Sequence, residues 1–156
     1  MDIPIYLRSK GIQFIMHDHP AVFTCEEAEK YCAHIPGLAC KNLFLKDKDK
    51  TQFFLVIMPA AKKLDLKQFA SMNGARITFG NEAELLKVLG LTKGAVSPFG
   101  LLNDKAHATK VFIDSEVWNA DIVSFHPNVN TQTLELTQAD FQKYIKMVGN
   151  AWVVMQ

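Results

Sequence analysis

The sequence predicts an α+β domain, a mixed α/β arrangement built on a mixed sheet, and three observations predict it. Strand-like apolar runs and amphipathic helical runs mix irregularly along all 156 residues, without the strict strand–helix repeat of a wholly parallel sheet. Two apolar stretches, 38–45 and 53–61, are separated mainly by the alternating charges Lys46-Asp47-Lys48-Asp49-Lys50, the pattern of a hairpin. Hydrophobic residues make up 49% and charged residues 21%, enough to fill a core and too apolar for a disordered chain. The length fits one domain over 1–156.

Each element has its own signal. Apolar spacing over 3–10 followed by Gly11 predicts a short helix, and the apolar run 13–17 a strand broken at His19-Pro20. Thr24 with Glu27 three residues on predicts a capping box, opening a helix that runs to about Ile35 before the Pro36-Gly37 turn. The strand 38–45 follows, then the charged turn, then a return strand over 51–58 that is apolar nearly throughout and so buried on both faces. Asp65 predicts the N-cap of a helix over 65–72, ended by Asn73-Gly74. A short strand over 76–79 precedes a helix capped by Asn81, with Leu85, Leu86, Val88 and Leu89 as its core stripe and Gly90 as its stop. Residues 94–100 read as a loop bracketed by glycines. Strands over 111–114, 121–125, 132–136 and 151–155 enclose a helical turn at 115–118 and a last helix to about 147.

A net charge of +1 excludes a wholesale basic coat for nucleic acid, though not a local basic patch. The longest apolar run, 53–61, is far short of a membrane span, and Asp2, Arg8 and Lys10 argue against a secretory signal. Three cysteines without a CxxC pair fit free thiols in a reducing compartment. A soluble cytoplasmic protein with no membrane partner is expected.

Chemistry concentrates in the strand 38–45. Strand side chains alternate, so Lys41 falls with Ala39, Leu43 and Leu45, and Asn42 with Cys40, Phe44 and Lys46. A lysine on an apolar face either reaches its head out to water or points into a polar cavity that needs a cation. His17 and His19 share a strand face at a spacing that could hold a metal, but no second cluster of ligands accompanies them. Ser97 lacks the strand–turn–helix elbow of an activated serine. Cys40 adjoins Lys41, which could lower its pKa, yet alternation turns the two side chains apart.

Four stretches together resemble one family. They are His17-Asp18-His19-Pro20-Ala21-Val22-Phe23-Thr24, Lys41-Asn42-Leu43-Phe44-Leu45, Gly94-Ala95-Val96-Ser97-Pro98-Phe99-Gly100-Leu101, and Phe125-His126-Pro127 with Asn130-Thr131. In this order and spacing the chain resembles the YbaK/prolyl-tRNA synthetase-associated editing domains. It is most similar to their free-standing alanine-specific branch, called ProXp-ala or PrdX. The resemblance implies a compact YbaK-like domain with a curved mixed sheet flanked by helices. It implies an aminoacyl-tRNA hydrolase, a carboxylic ester hydrolase that clears alanyl-tRNA for proline in trans and needs no metal or other cofactor.

The resemblance also implies roles for residues. Lys41 matches a family lysine that stabilises negative charge at the phosphate or ribose end, and Asn42 becomes a site residue, which would require a twist or bulge in the strand. The family's GxxxP motif matches Gly94, Ala95, Val96, Ser97 and Pro98, whose backbone would clasp the aminoacyl end. His126 matches a histidine that orients the pocket or ribose. The resemblance also implies attack by water, helped by the substrate's own ribose hydroxyl. Lys46, Lys50 and Arg76 match basic residues that read the tRNA acceptor end. The implied partners are a tRNA acceptor end carrying a small amino acid and, transiently, prolyl-tRNA synthetase. Two rivals stay open: a deacylase for another small residue such as cysteine, and a non-catalytic module that binds aminoacyl-tRNA.

Overall fold

In the computed structural model, which describes residues 1–49 and 52–156, the chain opens with helix α1 (Ile3–Ser9). Asp2 caps it by accepting the Ile5 N–H, and Ile3 and Leu7 turn inward. Strand β1 (Ile15–Asp18) leads to α2 (Cys25–Cys32), β2 (Leu38–Asp47) and β3 (Phe53–Pro59). Helix α3 (Leu66–Asn73), strand β4 (Ile77–Phe79) and helix α4 (Glu82–Leu89) follow. Two 3-10 segments, Lys93–Ala95 and Pro98–Asn103, then lead to β5 (Thr109–Asp114), α5 (Ser115–Asn119), β6 (Ile122–Phe125), β7 (Gln132–Thr137), α6 (Gln138–Val148) and β8 (Trp152–Met155). Among the described residues no helix is long and apolar enough to cross a membrane.

The strands form one mixed sheet in the order β1-β7-β6-β2-β3-β5-β8, with β4 also on β2. The β2–β3, β2–β4, β6–β7 and β1–β7 pairs are antiparallel, while β2–β6, β3–β5 and β5–β8 are parallel. The apolar run of β3 explains its central place. Leu55 and Ile57 enter the larger core with Phe99, Phe125, Phe141 and Tyr144, while Phe54, Val56 and Met58 enter a smaller core with Phe69 and Phe112. Both faces are therefore buried, as the unbroken hydrophobic run requires.

One feature of the sheet positions the site. β3 covers one edge of β2 from Cys40 to Lys46. On the other edge β6 reaches only Leu38 and Ala39, and β4 reaches only Leu45 to Asp47. Between them the edge from Cys40 to Phe44 has no strand partner among the described residues. On this edge the Phe44 carbonyl accepts the Gly80 N–H at 2.9 Å.

Several local expectations change. α2 stops at Cys32, three residues short of Ile35, and Glu27 bonds the Phe23 N–H and the Thr24 hydroxyl rather than closing a full box on Thr24. β2 runs on through Asp47, so Lys46 is a ladder residue and not part of the turn. The buried Asp47 carboxylate accepts the Asp49 N–H at 2.9 Å, and the turn starts two residues later than expected. The β2–β3 register is continuous from Cys40↔Pro59 to Lys46↔Phe53, so the bulge expected at Asn42 does not occur. Leu86 lies on the solvent side of α4 at 59% exposure, because Leu85 and Leu89 already define the inward stripe. The glycine-bracketed loop is largely two tight 3-10 turns, since Ser97 caps the second of them and Pro98 starts it.

Candidate functional site

The motifs that lie apart in sequence meet beside the open edge of β2. Asn42 leaves this edge on the face of Phe44 and Lys46, and its Nδ2 donates to the Val96 carbonyl at 3.4 Å. Its Oδ1 is buried and has no hydrogen-bond partner among the described residues. A shielded amide oxygen left unpaired costs about 1–3 kcal/mol, a cost that a donor brought by a ligand would offset.

The Gly94–Pro98 segment is anchored from three sides. A Cβ on Gly94 would lie 3.5 Å from both Asn130 Nδ2 and Phe23 Cδ1, ordinary contact distances, so the loop lies against the opening motif with room for a methyl group. Asn130 in turn ties down that motif, with its Nδ2 donating to the Val22 carbonyl at 3.2 Å and its own carbonyl accepting the Val22 N–H at 3.1 Å. Ser97 is fully buried; its hydroxyl donates to Asn128 Oδ1 at 3.0 Å and accepts the Phe99 N–H at 3.1 Å. Both bonds are structural, which accounts for a serine here without nucleophilic work. Asn128 holds a left-handed φ of 63°, a conformation asparagine tolerates better than most residues. The Pro98 carbonyl accepts the buried Tyr144 hydroxyl at 2.7 Å, fixing the segment to α6. Ala95 is buried beneath the segment.

His126 sits just past β6, half-buried. Its Nδ1 lies 2.9 Å from the Gln132 carbonyl and 3.4 Å from Thr133 Oγ1. A carbonyl only accepts, so Nδ1 carries the proton and Nε2 keeps its lone pair. Burial holds His126 below the usual histidine pKa, and nearby His19 pushes the same way, against the Gln132 bond. The His19 and His126 rings lie 5.8 Å apart, and Thr133 links them, its hydroxyl 2.8 Å from His19 Nε2. His17 turns instead to Glu135 at 2.9 Å. Among the described residues no group of three or more His, Cys, Asp or Glu side chains stands together to hold a metal.

Lys41 is half-buried and faces the side of Met58, opposite to Asn42. It has no ion-pair partner among the described residues. Burial pushes the Cys40 thiol up to about 12, which disfavours the thiolate that a nucleophile requires. Lys46 reaches Glu84 on α4 at 2.9 Å. The Glu84 carboxyl is held below its usual range first by the Asn81 backbone N–H and then by Lys46. Arg76, 74% exposed, precedes β4, and its carbonyl accepts the Lys48 N–H at 2.7 Å. Lys46 and Arg76 thus share the β2–β4 arm. Lys46 is four residues from Asn42, about 13 Å along the strand. Lys50 lies outside the described residues.

Sequence reasoning did not single out Thr133, Asn128, Lys93 or Phe79. Thr133 and Asn128 support site residues through side-chain bonds that have no local pattern. Phe79 and Lys93 line a groove of about 530 Å³ together with Asn42 and Val96.

Comparison with known proteins shows the family and the fold. A family model described as an aminoacyl-tRNA editing domain matches residues 19–144. The chain is 37% identical over 146 residues to the prolyl-tRNA editing protein ProX of Acetoanaerobium sticklandii, covering 93% of this chain and 89% of that protein. It is 32% identical over 154 residues to the prolyl-tRNA synthetase associated domain-containing protein 1 of Bos taurus, covering 96% and 90%. A crystal structure described as a candidate trans-editing enzyme for prolyl tRNA synthetase shares the fold with a TM-score of 0.74 at 16% identity, over 99% of this chain and 94% of that one. With the family model spanning most of the chain and the four motifs gathered at one edge of the sheet, this protein belongs to the aminoacyl-tRNA editing domain family.

Proposed function

We propose that the protein is a trans-editing deacylase that hydrolyses alanyl-tRNA for proline in the cytoplasm. The observation that carries this reading is the open edge of β2, where Asn42 presents an unpaired, shielded amide oxygen beside the Gly94–Pro98 segment. The names of the relatives, ProX among them, support prolyl-tRNA as the context. A synthetase that fits proline cannot strongly reject a smaller residue, because one or two methylenes discriminate by only about 1–3 kcal/mol. A second site that admits the small residue and excludes proline supplies the rest.

In this reading the ester carbonyl lies against the Gly94–Pro98 backbone. Asn42 Oδ1 accepts a hydrogen bond from the aminoacyl ammonium or a ribose hydroxyl. Lys41, on the other side of the strand, holds negative charge at the phosphate end rather than acting beside Asn42. Water adds to the carbonyl carbon, the C–O bond to the ribose breaks, and the ribose oxygen takes up a proton as the amino acid leaves. The Nε2 lone pair of His126 accepts a hydrogen bond from a ribose hydroxyl and sets its orientation. Arg76 and Lys46 meet the acceptor stem, Lys46 by exchanging Glu84 for a phosphate. A transient contact with prolyl-tRNA synthetase would deliver the mischarged product before it reaches the ribosome.

Single-turnover deacylation of alanyl-, cysteinyl- and prolyl-tRNA for proline tests the reaction. Rapid release of alanine with prolyl-tRNA spared is expected. Faster release of cysteine would move the substrate, and no release from any of the three would refute the deacylase reading.

The role of His126 predicts a pH dependence. Its folded pKa lies below the ordinary 6.5, so the neutral ring that activity needs persists through pH 6.5. Deacylation measured from pH 5 to 8 should stay level above 6.5 and fall with one proton below it. The same shift makes the fold lose stability as pH drops below 6.5, since the unfolded chain binds the proton first. A fall in activity that begins above pH 7 would assign the profile to another group.

A further inference from the structure

Thr133 is a polar residue in a place that core packing does not explain. Side chains alternate along β7, and Leu134 and Leu136 enter the larger core. Thr133 belongs to the opposite face, with Glu135, yet it is only 5% exposed. The side chains that approach its hydroxyl all bear chemistry: His19 just past β1, His126 just past β6, and Cys32 at the end of α2. The β1–β7 register sets His17 directly across from Thr133, and His19 follows two residues on. His17 turns away to Glu135, which leaves the Thr133 hydroxyl to His19.

The proton positions in this cluster follow from acceptors that cannot donate. His19 Nδ1 lies 2.9 Å from the Pro20 carbonyl, so that nitrogen carries the proton and Nε2 keeps the lone pair. Thr133 Oγ1, 2.8 Å from that Nε2, must then be the donor. A hydroxyl has one proton, so its lone pairs are what face the His126 Nδ1–H at 3.4 Å, a long second branch beside the 2.9 Å bond to the Gln132 carbonyl. Burial raises the Cys32 pKa, so this thiol keeps its own proton and does not claim that of Thr133. Every bond runs one way, from His126 through Thr133 to His19 and on to the Pro20 carbonyl. Two rings 5.8 Å apart are thereby made unequal. The Nε2 lone pair of His19 is occupied, and that of His126 is left for a substrate.

Resting on the deacylase reading, we propose that Thr133 is a positioning residue for the reaction: its hydroxyl fills the His19 lone pair and steadies the His126 ring, so that one imidazole nitrogen, His126 Nε2, meets the ribose hydroxyl. Thr133 touches neither the ester nor the ribose. Thr133→Val keeps the shape of the side chain and removes the hydroxyl. The carbonyl bonds to Pro20 and Gln132 stay, but the two rings lose their common partner. His19 then presents a second lone pair, and His126 turns about its one remaining bond.

The test joins single-turnover deacylation of alanyl-tRNA for proline to long-range proton–nitrogen spectra of the histidine rings at neutral pH. Thr133→Val should slow the chemical step about 10-fold and leave the enzyme concentration at half-saturation within about twofold, while Thr133→Ser, which keeps the hydroxyl, stays within about twofold in both. Wild-type spectra should show both rings protonated on Nδ1. In Thr133→Val the His19 Nε2 signal should move to that of a free lone pair. If the valine variant melts early, Thr133→Ser beside Thr133→Ala isolates the hydroxyl in the same way, with the serine variant faster. A valine variant as fast as wild type, equal losses in valine and serine, or a wild-type His19 protonated on Nε2 overturns the proposal. The spectra need no substrate, so the two readings fail separately. A wild type with these tautomers that hydrolyses none of the charged tRNAs would overturn the deacylase reading and the role in its reaction. A wild type that hydrolyses, with an unimpaired valine variant, would overturn the role of Thr133 alone.

Discussion

Lys41→Ala is expected to slow alanine release from alanyl-tRNA by about 100-fold, a loss of roughly 2.7 kcal/mol in transition-state stabilisation. The fold should survive. Lys41 is half-buried on β2 and has no ion-pair partner among the described residues, so truncation orphans no buried charge. Its cross-strand neighbour is Met58, a flexible side chain that can cover the vacated space. Single-turnover kinetics at saturating enzyme, beside a thermal melt of the same variant, separates the two effects. A variant with unchanged melting and unchanged deacylation would remove Lys41 from the site. The contrast with Asn42→Ala is informative, because that change also strips the Val96 carbonyl of its donor and loosens the Gly94–Pro98 segment. A loss confined to catalysis is expected only for Lys41.

Gly37→Ala is expected to destabilise the protein by about 3 kcal/mol. Gly37 turns the chain into β2 with φ +96°, in the region that penalises any side chain. An added Cβ would sit 2.6 Å from the Ile122 carbonyl oxygen and 2.6 Å from its Cγ2. The first of these is backbone at the start of β6 and cannot rotate away. Relief would require β6 to move off β2, where only Leu38↔Val123 and Ala39↔Ser124 join the two. His126 follows β6 directly, so the strain would pass to the site. For a chain of this size the loss corresponds to a fall of roughly 6–12 °C in melting temperature. A melt within 2 °C of wild type would show that the turn adapts without moving β6.

Legibility followed the range of the physics involved. Helix starts at Thr24, Asp65 and Asn81 were readable because a cap bonds a backbone N–H only three residues on. β3 was readable as doubly buried from its unbroken apolar run. The end of β2 was not, because the buried Asp47 and its bond to Asp49 look like surface charge in a run of alternating signs. Leu86 was misassigned for a related reason, since composition marks an apolar residue but not the direction it faces when its neighbours already fill the inward stripe.

At the site, Lys41, Asn42, His126 and the Gly94–Pro98 segment were marked by resemblance, and the unbroken β2–β3 ladder then removed the bulge meant to bring Lys41 and Asn42 onto one face. Alternation along a regular strand is a local rule, and here it held. The order of elements was thus legible in the sequence through caps and periodicity, and the family through a resemblance carried by four motifs. The open edge between β6 and β4, the unpaired Asn42 oxygen, the Thr133 bridge between His19 and His126, and the Phe79 groove were decided only by tertiary structure. Each of these depends on which strand stops short, or which side chain arrives from more than thirty residues away. That information resides in the packing of the sheet and in no single window of the chain.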